Sequence, residues 1–280
     1  MVRACPAGCC HISLEDVLRL LDERTGSYAE VQPDRSGLLR MCAHVPRGAE
    51  ESGLTALRVL LVADLVTRVA ELSNLQALTV LVTPGELPGH ESALGAAADA
   101  LGIRPPAGHA SAGEALALLG GRVDVHVVSG DADVDDGERA VITCVGDAHM
   151  RGPDAQGQGT ADLAILNEHD PLAVRLALMS FPSHQPADLT GSVVSGARET
   201  AGEWRRRVAT WAEQPSRPVP AHLAATARAA FDDLDIPSAI ALLHDLAGDD
   251  RLAAGARFET FLYVDRVLGL DLPREIGKLG

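Results

Sequence analysis

Residues 54–84 read LTALRVLLVADLVTRVAELSNLQALTVLVTP, and LLRMCAHV (38–45) stands just before them. The first part, 54–72, is an apolar segment of helix length, and it predicts a long helix. LQALTVLVTP (75–84) predicts a strand, because Thr79, Val80 and Val82 favour an extended backbone. LLRMCAHV is a short apolar run that follows a turn at Pro33-Asp34-Arg35-Ser36-Gly37, as a buried strand does. Strand, helix and strand at this spacing predict a right-handed βαβ unit and therefore a parallel sheet.

The pattern extends in both directions. SLEDVLRLLDER (13–24) predicts a helix, with Ser13 as N-cap and Val17, Leu18, Leu20 and Leu21 on its apolar face. Downstream, HESALGAAADAL (90–101) and SAGEALALLGG (111–121) predict helices, and VDVHVVSGD (123–131) and AVITCVGDAH (140–149) predict strands. RGPDAQGQGTAD (151–162) is glycine-rich and without periodicity, which predicts a loop. Beyond it, 170–181, 189–213, 219–232, 236–248 and 252–268 all predict helices. The expected organisation is an N-terminal extension over 1–30, a Rossmann-like domain over 31–162 and an α-helical bundle over 163–280.

Composition narrows the function classes. The 280 residues carry a formal charge of −15, and Lys278 is the only lysine. Such a chain lacks the net attraction that dominates binding to a phosphate backbone, so nucleic acid is not expected as its main ligand. No run of eighteen apolar residues occurs, so no membrane span is expected. No apolar h-region follows Arg3, so no secretory signal is expected. Five cysteines are an odd number for a disulfide framework, and a reducing cytoplasm is the expected compartment.

Five segments, in collinear order, resemble one family. VQPDRSGLLRMCAHVP (31–46), RVLLVADLVTRV (58–69), DALGIRPPAGHASAGEALALL (99–119), NEHDPLAVRLALMSFPSHQPADLTGSVVSGARETAGEWRRRVATW (167–211) and ARAAFDDLDIPSAIALLHDLA (227–247) are similar to stretches of cysteinyl-tRNA synthetases and mycothiol cysteine ligases. In that family a DP-x-x-[VL]-R helix follows the nucleotide-binding loop, and Asp170, Pro171, Val174 and Arg175 match it. The resemblance covers about 31–270. It implies a class I synthetase-type Rossmann domain with a parallel sheet, followed by a helical bundle.

The same resemblance shows what is missing. The family's histidine-bearing phosphate motif falls on Gly53-Leu54-Thr55-Ala56, which contains no histidine. Its lysine-bearing loop falls near Arg151-Gly152-Pro153-Asp154-Ala155, where only Arg151 is basic and Asp154 has the wrong sign for a phosphate. Losing one preorganised donor costs about 10²–10³ in rate at well-studied sites, so ordinary adenylation should be very weak. The chain as given also ends soon after the helical region, leaving no room for an anticodon-reading segment; tRNA is not an expected partner.

The family holds zinc with Cys, Cys, His and Glu. Cys42 matches the first of these, and no counterpart of the others is found. Cys42, His44, Thr55, Thr83, His126, Asp131, His149 and Arg151 are the candidate cleft residues. Among them, with Cys144, the thiols and imidazoles of Cys42, His44, His126 and Cys144 suit a tetrahedral Zn²⁺, although buried cysteines in strands are ordinary core residues. CPAGCCH (5–11) gathers Cys5, Cys9, Cys10 and His11, but it lies upstream of the matched region, and adjacent cysteines suit one ion poorly. GDADVDDGE (130–138) misses the calcium-loop spacing: its glycine comes one position late and Ile142 stands where the closing glutamate belongs. HASAGE (109–114) is not a nucleophile elbow. Arg205-Arg206-Arg207, flanked by Trp204 and Trp211, is either a charged helix face or a phosphate or partner patch.

Two functions are expected from this. One is a synthetase-like protein that binds a small amino-acid-like or nucleotide-like ligand, or a protein partner, without charging tRNA. The other is an ATP-dependent ligase that joins an amino acid to a small amine. ATP and zinc are the cofactors open to either, and a homo-oligomer has no motif behind it.

Overall fold

The computed structural model describes residues 18–33, 37–46, 53–83, 90–130, 134, 139–151 and 163–278. In chain order it begins with a hairpin, β1 (Arg19–Asp22) and β2 (Ser27–Glu30), followed by β3 (Leu38–His44), α1 (Gly53–Leu72), β4 (Gln76–Val82), α2 (His90–Ala100), β5 (Gly108–Ala110), α3 (Ala115–Leu119), β6 (Val125–Ser129) and β7 (Val141–Val145). Then come β8 (Ala148–Arg151), α4 (Ile165–Glu168), α5 (Pro171–Met179), β9 (Ala187–Thr190), α6 (Gly191–Trp211), α7 (Ala221–Asp232), α8 (Ile236–Ala247) and α9 (Ala254–Leu268).

The βαβ unit is present as expected: β3 and β4 pair in parallel from Leu38↔Gln76 to His44↔Val82, with α1 between them in sequence. Five parallel strands form the sheet in the order β5-β4-β3-β6-β7. Its central strand β3 is buried along Leu39–Ala43, a run that is apolar on both faces except for Arg40. The order reverses at β3, where the chain continues on one side to β4 and returns on the other as β6. In open α/β sheets a crevice forms at such a reversal, outside the carboxyl ends of the strands.

Helix α1 is buried almost all round because it lies between the sheet and the later helices. Its Asp64 receives Arg175 of α5 at 2.7 Å and Arg68 at 2.8 Å. Arg175 is fully buried and also donates to the carbonyls of Leu268 (2.6 Å) and Leu101 (3.2 Å). The Asp170–Arg175 motif is therefore a packing device here. Asp170 caps α5 by accepting from Leu172 N, and it also accepts from Arg205.

Three expectations are corrected. Residues 19–22 are a strand, not a helix; residues 13–17 lie outside the described residues. The chain turns through Gly26 (φ 62°), and Leu18 and Leu20 enter the main core at period two. Glu23 N then donates to Ile142 O at 2.8 Å, docking the hairpin on β7, so from Leu18 onward the expected extension is packed structure. The run 140–149 is two strands, because the chain bends at Gly146-Asp147 and β8 leaves the sheet to pair in parallel with β9. The helix expected over 111–121 is confined to Ala115–Leu119, behind a turn in which Glu114 accepts from Ser111 N and Oγ. The arginine cluster follows the first of its two expected readings: Arg205 is buried and donates to Leu270 O at 2.8 Å, Arg206 is exposed, and Arg207 pairs with Glu203 and donates to Ala247 O. Trp204 and Trp211 stack edge-on against Phe261.

The predicted helices of the second half are present within a few residues of their expected ends, and their apolar faces join the same hydrophobic core as α1. Among the described residues no helix is long and apolar enough to cross a membrane.

Candidate functional site

Side chains alternate along β3. Met41 and Ala43 enter the core shared with α1, whereas Cys42 packs with Val80, Val82, Ala110, Ala115, Leu119 and Val123 on the other face, the one that α3 covers. His44 is two residues after Cys42 and shares its face. The parallel register Cys42↔His126 brings His126 of β6 onto that face as well. Two strands adjacent at the order reversal thus gather one thiol and two imidazoles.

The three groups are close together. Taking one donor atom from each, the ligand atoms of Cys42, His44 and His126 lie within 4.8 Å of one another. His44 Nε2 and His126 Nδ1 are 2.8 Å apart in a hydrogen bond, with one ring donating and the other accepting. Their centroids are 5.1 Å apart and the rings are tilted by 42°. Cys42 and His126 are buried, while His44, at the carboxyl end of β3, is only partly so. Burial, and then the neighbouring His126, push the His44 pKa down to about 4, so its imidazole is neutral at physiological pH. Neutral imidazole is the form that binds metals.

The remaining candidates are placed elsewhere. Cys144 pairs with Val128 and so lies on the face of His126, but the cluster within 4.8 Å does not include it; its Sγ is 4.0 Å from Val145 O. Thr55, in the first turn of α1, accepts from Ala148 N (2.9 Å) and donates to Ala148 O (3.3 Å), so its hydroxyl is committed to holding β8. Thr83 follows β4, and its backbone donates to Ala110 O. His149 and Arg151 belong to β8, in the separate two-stranded sheet, and Arg151 is tied to Asp188 at 2.7 Å. Asp131 and the Cys5, Cys9, Cys10 and His11 group lie outside the described residues.

Sequence reasoning missed Ser129. It ends β6, is buried, and its Oγ has no hydrogen-bond partner among the described residues. The signal was a small polar residue followed by Gly130 at the carboxyl end of a parallel strand.

The strand order and the helices that follow define an α/β protein with a Rossmann-type parallel sheet and a helical second half. No protein-family model matches the chain, and no curated protein sequence matches it. Among solved structures, the chain is similar to a Campylobacter jejuni protein provisionally named arginyl tRNA synthetase. The two share 8% identity at a TM-score of 0.47, over 87% of this chain and 92% of that one.

Proposed function

We propose that the protein is a cytoplasmic, synthetase-like ligand-binding protein of the cysteinyl-tRNA synthetase and mycothiol cysteine ligase type that does not charge tRNA. Its ligand is a small amino-acid-like or nucleotide-like molecule held in the crevice outside the carboxyl ends of β3 and β6. The observation that carries this reading is the convergence of His44 and His126 at the order reversal, the position where open α/β sheets bind ligands. The first turn of α1 supports the second half of the reading. No imidazole is available there for a phosphate, and the one hydroxyl, Thr55, is engaged with Ala148.

The test is a thermal-shift panel of amino acids, nucleotides and small amines, run beside amino-acid-dependent exchange of labelled pyrophosphate into ATP. The expected result is stabilisation by at least one panel member, abolished in His126→Phe, with no exchange for any amino acid. Exchange with any amino acid would establish the ligase function and overturn the proposal.

A further inference from the structure

We propose that Cys42, His44 and His126 form a binding site for a zinc-type divalent transition metal, with three protein ligands and a fourth position open to the crevice. The donor set is not the one that the family resemblance implies, since only Cys42 is common to both. It arises from the fold, because His44 and His126 are 82 positions apart and meet only through the pairing of β3 with β6.

The donors fit such an ion. Zinc takes imidazole nitrogen at about 2.0–2.1 Å and thiolate at about 2.3 Å, so neighbouring ligand atoms of a tetrahedral site stand roughly 3.3–3.6 Å apart. The three donor atoms already lie within 4.8 Å of one another, and the two imidazole nitrogens, at 2.8 Å, need only part by about half an ångström, giving up their mutual hydrogen bond. Thiolate with imidazole is a borderline-soft set that favours zinc-type ions over magnesium or calcium. Three of the ligand positions come from neighbouring strands of one sheet, which is rigid support. His44, the partly exposed member at the strand end, marks the side from which an ion enters and on which the fourth ligand, water or a donor atom of a bound molecule, is accepted. On binding, the Cys42 thiol releases its proton to solvent and coordinates as thiolate.

This proposal deepens the crevice reading, but the two fail separately, since metal uptake is measured without any organic ligand. The experiment uses the full chain with Cys5, Cys9 and Cys10 replaced by serine, stripped with a chelator and titrated with Co²⁺ and then Zn²⁺. The expected result is one equivalent of Co²⁺ per chain, with a thiolate-to-cobalt charge-transfer band and four-coordinate ligand-field bands, all displaced by Zn²⁺. The charge-transfer band should vanish in Cys42→Ser and Cys42→Ala and persist in Cys144→Ser. His44→Gln, at the partly exposed position, should weaken binding by roughly 100-fold or more while leaving the circular dichroism unchanged. Absence of Co²⁺ binding in the triple-serine chain, or a thiolate band that survives Cys42→Ser, would overturn the proposal. Stoichiometric metal with no shift by any organic ligand would leave the metal site standing and sink the ligand-binding proposal instead.

Discussion

The two faces of the central sheet treat buried polar groups differently. On the α1 face the buried charged groups are bonded to backbone and to countercharges. Arg58 is buried and donates to the carbonyls of Gly146, Asp147, Phe181, Pro182 and Gln185, joining the β7–β8 bend to the α5–β9 turn. Burial lowers its pKa to about 10, which still leaves it charged at neutral pH. Asp64 and Arg175 close a second such network. On the opposite face, Arg40 is likewise tied, to Leu119 O at 3.0 Å, but nearer the strand ends His44 and His126 bond each other, side chain to side chain. A fully covered face must satisfy each buried charge with fixed partners. A face covered by a helix of only five residues leaves room for side chains that can exchange one partner for another.

The contrast can be broken or sharpened by substitution. The largest effect is expected for Asp64→Ala, which leaves the fully buried Arg175 without its carboxylate; urea denaturation should show a loss of about 4 kcal/mol. Gly146→Ala comes next. A Cβ there would stand 2.3 Å from the Gln185 backbone, so the bend held by Arg58 must open, at about 2–3 kcal/mol in the same measurement.

A smaller effect is expected at His44 in the metal-free chain. Folding lowers its pKa from 6.5 to about 4 and so favours the neutral ring. That contribution is intact above pH 6.5 and is lost as the pH falls towards 4. The fall in Tm between pH 7 and pH 4.5 should therefore be shallower in His44→Gln than in the unmodified chain. The smallest effect is expected for Ser129→Ala, which removes a hydroxyl that has no partner among the described residues. Stability should change by no more than about 0.5 kcal/mol, whereas a ligand that bonds this hydroxyl in the crevice would lose affinity. A large loss of stability would show that Ser129 holds the α1 face together as the arginines do.

Much of the scaffold could be read from residue order. The β3–α1–β4 unit was legible because a twenty-residue apolar helix between two β-rich runs has few other solutions. β1 was not, because four residues with Leu20 and Asp22 buried fit a helical pattern as well as a strand until β2 pairs with them. β8 and β9 escaped for the same reason: a four-residue strand carries almost no periodicity of its own. At the candidate site, Cys42 was named from the family resemblance, and His44 and His126 from their chemistry beside it. Cys144 was named beside them on equal terms, and nothing in its neighbourhood along the chain distinguished it.

The sequence by itself determined the parallel α/β first half and the helices of the second half, because hydrophobic period is a local property. Only the tertiary structure decided that Arg205 and Arg207 are tied to backbone carbonyls of other elements, that Thr55 is bound to Ala148, and that His44 faces His126 across two strands. Those outcomes depend on strand order and register. Register is set by the burial of whole faces, to which each of these residues contributes only a small part.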